Sequence, residues 1–145
     1  MEYKTDKRTK NLTLRDIHVG DWVQVWSELT ERYSPPLKII QICDDGTIYL
    51  VTSDEERATP WEENIKNVDA LPITPELLKG FGFEVDATSY SLVFYKGKLI
   101  CSLIKYPHSY QIVIPCYAFG YFHDFIQGVY YYSPEMLNLE WKGIE

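Results

Sequence analysis

In the run Trp22-Val23-Gln24-Val25-Trp26, Val23 and Val25 point one way and Trp22, Gln24 and Trp26 the other. This alternation, entered through Gly20-Asp21, predicts a strand. Glu28 to Pro36 is polar and ends in Pro35-Pro36, which predicts a loop. Leu37 to Cys43 and Thr47 to Thr52 are rich in β-branched residues and flank Asp44-Asp45-Gly46. That phrase predicts a hairpin, because glycine accepts the positive φ of a tight turn. Thr59-Pro60-Trp61-Glu62 has the spacing of a capping box with proline at the first helical position, predicting one helical turn. Ile65 to Leu71 then returns as a last barrel strand, and Thr74-Pro75-Glu76 starts a helix that Gly80 and Gly82 stop within two turns.

Further along, Tyr90–Tyr95 and Leu99–Ile104 flank the turn Lys96-Gly97-Lys98, and Gln111–Cys116 supplies a third strand. Gly120 to Tyr132 places Phe122, Phe125, Ile126 and Val129 at i, i+3, i+4 and i+7, one face of an amphipathic helix. Ser133-Pro134-Glu135 breaks it, and Met136–Trp141 closes as a strand. The pattern predicts an α+β, mainly β protein: a small Src-homology-3-like barrel over residues 14–73, then an antiparallel sheet with one amphipathic helix over 74–145, as two subdomains or one compact unit.

Charge adds a third segment. Residues 1–15 carry five basic and two acidic groups, residues 16–70 four and twelve, and residues 71–145 five and seven, so the net charge of -7 lies mostly in the barrel. Residues 1–13 read as a disordered basic leader, and nucleic acid is disfavoured as a partner because only this leader is basic. No window approaches the ~20 apolar residues of a membrane helix, and the polar first ten residues lack a secretory signal. Three cysteines, Cys43, Cys101 and Cys116, without CxxC spacing, imply no disulfide framework and a reducing, cytoplasmic setting.

The stretch Ile65–Phe83, with Leu71-Pro72-Ile73-Thr74-Pro75-Glu76-Leu77-Leu78-Lys79-Gly80-Phe81 at its centre, is similar to the central signature of an uncharacterised family of small proteins from Bacteroidetes genomes, their phages and mobile elements. Gly20-Asp21-Trp22-Val23 resembles that family's opening phrase, and His123–Leu137 its ending, from which Gly128 and Ser133-Pro134 depart. The resemblance spans roughly residues 14–142. It implies a shared fold and a phage or mobile-element origin, and no activity.

Catalytic motifs are missing: there is no phosphate-binding glycine loop, nucleophile elbow or zinc-protease signature. His108, Cys116 and His123 offer only three metal ligands without a known spacing, and Cys101 lies mid-strand where a thiol is packed. No enzymatic activity, cofactor or metal is expected. What stands out is the aromatic share, 15%. Trp22 and Trp26 share one strand face, and three consecutive tyrosines cannot all lie on a helix face already filled, so Trp22, Trp26, Trp61, Tyr130 and Tyr131 are the expected partner contacts. Around Trp61 stand Glu55, Glu56, Glu62 and Glu63, a local acidic surface suited to a basic protein partner. The expected function is thus a non-enzymatic protein-binding module. The alternative is an acidic inhibitor of a host nucleic-acid-binding or defence protein, and oligomeric state is not specified.

Overall fold

The computed structural model describes residues 8–52, 59–86, 91–114, 117–129 and 139–143. Two compact units divide after Leu71. Strands dominate both, and among the described residues no helix is long and apolar enough to cross a membrane.

The first unit contains β1 (Trp22–Ser27), β2 (Arg32–Tyr33), β3 (Leu37–Ile42), β4 (Thr47–Val51), β5 (Trp61–Asn64) and β6 (Val68–Asp69). All pairings are antiparallel, and β1-β3-β4-β5 curl into a half-barrel. β1 takes β3 at Trp22 and Val23, β2 at Trp26 and Ser27, and β6 at Gln24 and Val25. First and last strands therefore meet at β1. The β3–β4 hairpin forms as its turn chemistry dictates: Gly46 has φ +94°, and the Asp45 carboxylate accepts from the Thr47 amide at 2.9 Å. Val23, Leu37, Ile39, Ile48, Leu50 and Val68 fill the core.

Two local expectations change. Trp61–Asn64 is a strand and not a helical turn, because pairing with β4 across Leu50↔Trp61 to Thr47↔Asn64 satisfies its backbone. A 3-10 turn follows instead at Ile65–Asn67, capped by the Asn64 side chain accepting from the Lys66 amide. Residues 8–12, assigned by charge to the leader, are hydrogen-bonded into the unit: Leu12 N–H donates to Val68, and Ala70 N–H to Lys10. Consequently β1 is buried along both faces from Trp22 to Trp26, with Gln24 donating to the Ala70 carbonyl and to Thr9 Oγ1.

The second unit is a meander, β7 (Glu84–Asp86), β8 (Leu92–Tyr95), β9 (Lys98–Lys105), β10 (Tyr110–Ile114) and β11 (Tyr117–Phe119), hydrogen-bonded in chain order. It is preceded by α1 (Pro75–Gly80) and followed by α2 (Phe122–Val129). Thr74 caps α1, its hydroxyl accepting from the Leu77 amide at 3.1 Å. The inward residues Val93, Cys101, Leu103 and Ile112 are buried, as are Phe122, Phe125 and Ile126 of α2. Phe81 stacks on Phe122 with centroids 4.5 Å apart, and Phe83 meets Tyr95 at 5.0 Å, so much of the aromatic surplus is core. The expected closing strand lies partly outside the described residues, and Leu139–Gly143 is not a strand.

Trp141 packs edge-on to Phe81, while Lys142 N–H donates to the Gly80 carbonyl. A Cβ at Gly80 would run into the Trp141 ring. Gly80→Ala is therefore expected to destabilise the protein by about 1–3 kcal/mol despite alanine's better helix propensity, read as a lower urea midpoint at unchanged slope.

Candidate functional site

Ser27 and Arg32 pair across the four-residue loop 28–31, which brings Trp26 directly opposite Tyr33. Their rings meet edge to face, with centroids 4.9 Å apart at 64°. Glu31 closes the loop with φ 52°, and its amide donates to the Ser27 carbonyl. Leu29, at the loop tip, is 97% exposed.

This hairpin forms one wall of an open groove of about 450 Å³ in the first unit. The other wall comes from β5 and the 3-10 turn, through Trp61, Glu63 and Asn67. Trp61 and Glu63 share a strand side by their i, i+2 spacing, and Asn67 Nδ2 donates to Glu63 at 3.4 Å. Glu62, on the alternate side, accepts from the Tyr49 hydroxyl at 3.0 Å. Trp61 is 41% exposed, an apolar ring left to solvent beside a carboxylate. The charged lining residues are Glu28, Arg32 and Glu63, so the groove itself is mildly acidic.

Behind Tyr33 lies a buried polar cluster. Asp69 is fully buried, and its two carboxylate oxygens accept from Arg8 Nε at 2.9 Å, Arg8 Nη2 at 2.6 Å, Asn11 Nδ2 at 3.1 Å and the Tyr33 hydroxyl at 2.7 Å. The Thr9 amide donates to the same hydroxyl at 2.6 Å. Burial pushes the Tyr33 phenol above its ordinary pKa; Thr9 opposes this and the Asp69 carboxylate adds to it. The hydrogen bond to Asp69 likewise holds the Arg8 guanidinium more firmly protonated.

Of the residues singled out by sequence, Trp26, Trp61 and Glu63 come together in the groove. Trp26 is only 6% exposed. Trp22 does not join them: it is 2% exposed, buried in a strand covered on both faces. Glu62 faces Tyr49 instead. Glu55, Glu56, Tyr130 and Tyr131 lie outside the described residues. Tyr33, Leu29 and Asn67 were not anticipated. Tyr33 was legible in principle, since a four-residue loop after Ser27 makes it the cross-strand partner of Trp26.

His108 is exposed in the β9–β10 loop, whereas His123 is buried on α2, its Nε2 3.3 Å from an Asp124 oxygen. Cys116 lies outside the described residues, and among those described no three His, Cys, Asp or Glu side chains cluster as metal ligands. Burial pushes the Cys101 thiol up to about 12.

Two outcomes follow from these environments. With a pKa near 12, only about one Cys101 in ten thousand is thiolate at pH 8. Mass-spectrometric mapping after iodoacetamide should find Cys101 unmodified in the folded protein and alkylated once denaturant is added. For Tyr33, a folded-state pKa above the unfolded value of about 10 means its contribution is complete below that pH and is lost as pH rises through the folded value. Tyr33→Phe should therefore flatten the fall in denaturation midpoint between neutral and strongly alkaline pH.

Comparison of the chain with family models, curated proteins and solved structures finds no match.

Proposed function

We propose that this chain is a non-enzymatic, cytoplasmic protein-binding module whose first unit, a small Src-homology-3-like barrel, grips an extended segment of a partner with a basic face. The observation that carries this reading is Trp61, 41% exposed in a groove shared with Trp26, Tyr33 and Glu63. Support for a barrel of that type comes from β1, which is held by β3 along one edge and by the last strand, β6, along the other. Aromatic-lined grooves suit extended segments, because rings supply contact area with few torsions to freeze.

Magnitudes favour an apolar anchor with charge as a guide. Covering the open part of Trp61, ~100 Å² on the 150–250 Å² scale of an aromatic side chain, is worth about 2.5 kcal/mol. Glu28 and Glu63 line the groove and are opposed by Arg32, while Glu62 lies on the alternate side of β5. Exposed charges of this kind act on encounter rate and salt dependence more than on affinity. A partner residue pairing an apolar or aromatic anchor with a nearby Arg or Lys matches both elements.

Display selection of random dodecamer peptides against the immobilised full chain tests this directly. The expected result is enrichment of sequences joining an aromatic or large aliphatic residue to Arg or Lys. Trp61→Ala should weaken a selected peptide about thirty-fold, corresponding to about 2 kcal/mol, with little change in the denaturation midpoint. Glu62→Lys combined with Glu63→Lys should remove most of the salt dependence. Enrichment no greater than on a Trp61→Ala surface would refute the proposal.

A further inference from the structure

Tyr33 takes part in two arrangements at once. Its ring walls the groove against Trp26, and its hydroxyl belongs to the buried cluster around Asp69. The geometry points to residues 8–12 as a latch on the groove, with Arg8 positioning Tyr33 through Asp69 and Thr9 positioning it directly.

β2 is only two residues long and meets β1 at two positions. An edge strand that short has little backbone pairing of its own to hold it. One flanking backbone bond, from Ser34 N–H to the Val25 carbonyl, and side chains add to it: Ser34 Oγ accepts from Val25 N–H, and the Tyr33 hydroxyl is fixed from two sides, by Thr9 N–H and by Asp69 Oδ2. Asp69 in turn has no spare capacity. A carboxylate offers about four acceptor positions, and here Oδ1 takes Arg8 Nη2 and Asn11 while Oδ2 takes Arg8 Nε and Tyr33.

Two of those donors come from one guanidinium, which is also the carboxylate's partner charge. Withdrawing Arg8 leaves a buried anion short of two donors, and water drawn to it competes for the Tyr33 hydroxyl. Leu12 and Lys10 pair with Val68 and Ala70, so Arg8 and Asn11 reach Asp69, and Thr9 reaches Tyr33, as parts of one docked segment. By contrast, the β3–β4 hairpin has its own turn and four paired positions, none of which involves this cluster.

Coupling of this kind is reciprocal. Whatever holds Tyr33 against Trp26 also holds residues 8–12, and an event that pulls residues 8–12 away loosens the groove wall. Its functional consequence rests on the groove being a binding surface, but the coupling itself is a property of the free protein.

Amide hydrogen exchange, followed by NMR on the full chain without any ligand, tests it. In Arg8→Ala the amides of Leu12 and Ala70 should exchange faster, and the Ser34 amide, which donates to Val25, should accelerate with them by about tenfold or more. The Cys43 amide, bonded to Thr47 within the hairpin, should stay within about twofold. Faster Leu12 and Ala70 with an unchanged Ser34 would overturn the latch, and so would acceleration of Cys43 along with the rest. Tyr33→Phe, which keeps the ring and cuts only the hydroxyl, runs the test backwards: Leu12 should accelerate while Cys43 does not. An unchanged Leu12 in that variant also overturns it. The peptide selection can fail while Ser34 still follows Arg8, which would dismiss the binding reading and leave the latch intact.

Discussion

A carboxylate taken fully out of water must be met by donors on every side, and the first unit is organised around meeting that demand at Asp69. Four donors from three residues reach it, with Arg8 and Asn11 some sixty positions away in the chain and Tyr33 thirty-six. Desolvating an ion costs several kcal/mol, which only close geometry and a partner charge offset. The bidentate Arg8 supplies both. What the arrangement secures is register: Tyr33 of β2, and Arg8 and Asn11 of the segment before β1, must each come to one place against Asp69 of β6.

That constraint explains why β1 is buried on both faces. A strand in a curled sheet normally leaves one face to solvent, with polar residues there. In β1 the second face carries Trp22, Gln24 and Trp26, and Gln24 is satisfied by Thr9 and the Ala70 carbonyl. Once residues 8–12 are docked, the polar groups on that face have partners. The leader's basic charge is therefore partly structural at Arg8, and its contribution to solution electrostatics is smaller than the count of charges implies.

How much of this the sequence disclosed follows from the range of each interaction. The β3–β4 and β8–β9 hairpins and the cap of α1 were readable because a turn glycine or a capping threonine acts within four residues. The buried face of α2 was readable from its periodicity. Short strands β2, β7 and β11 were not, since two or three residues show no period and their partners make them strands. At Thr59–Glu62 a genuine local helix signal lost to pairing with β4. For the site, Trp61 and Glu63 stood out by residue type, but burial of Trp22 and the placement of Tyr33 depend on contacts far along the chain.

The same cluster also decides what a partner would meet in the groove. A tyrosine on a surface usually presents its hydroxyl, a polar tip that favours hydrogen-bonding ligands. Here that hydroxyl donates to Asp69 and accepts from the Thr9 amide, so its hydrogen-bonding capacity is largely used inside the fold. Asp69 itself is neutralised by Arg8 and fully buried, so it adds no accessible acceptor. The groove is left with ring surface from Trp26, Tyr33 and Trp61, and with Glu28 and Glu63 against the single cation Arg32 among its lining residues. A lining of aromatic rings with a mildly acidic balance of charge is thus a consequence of how one buried carboxylate is satisfied, and substitutions at Arg8 or Asp69 alter the chemistry of the groove without touching its surface.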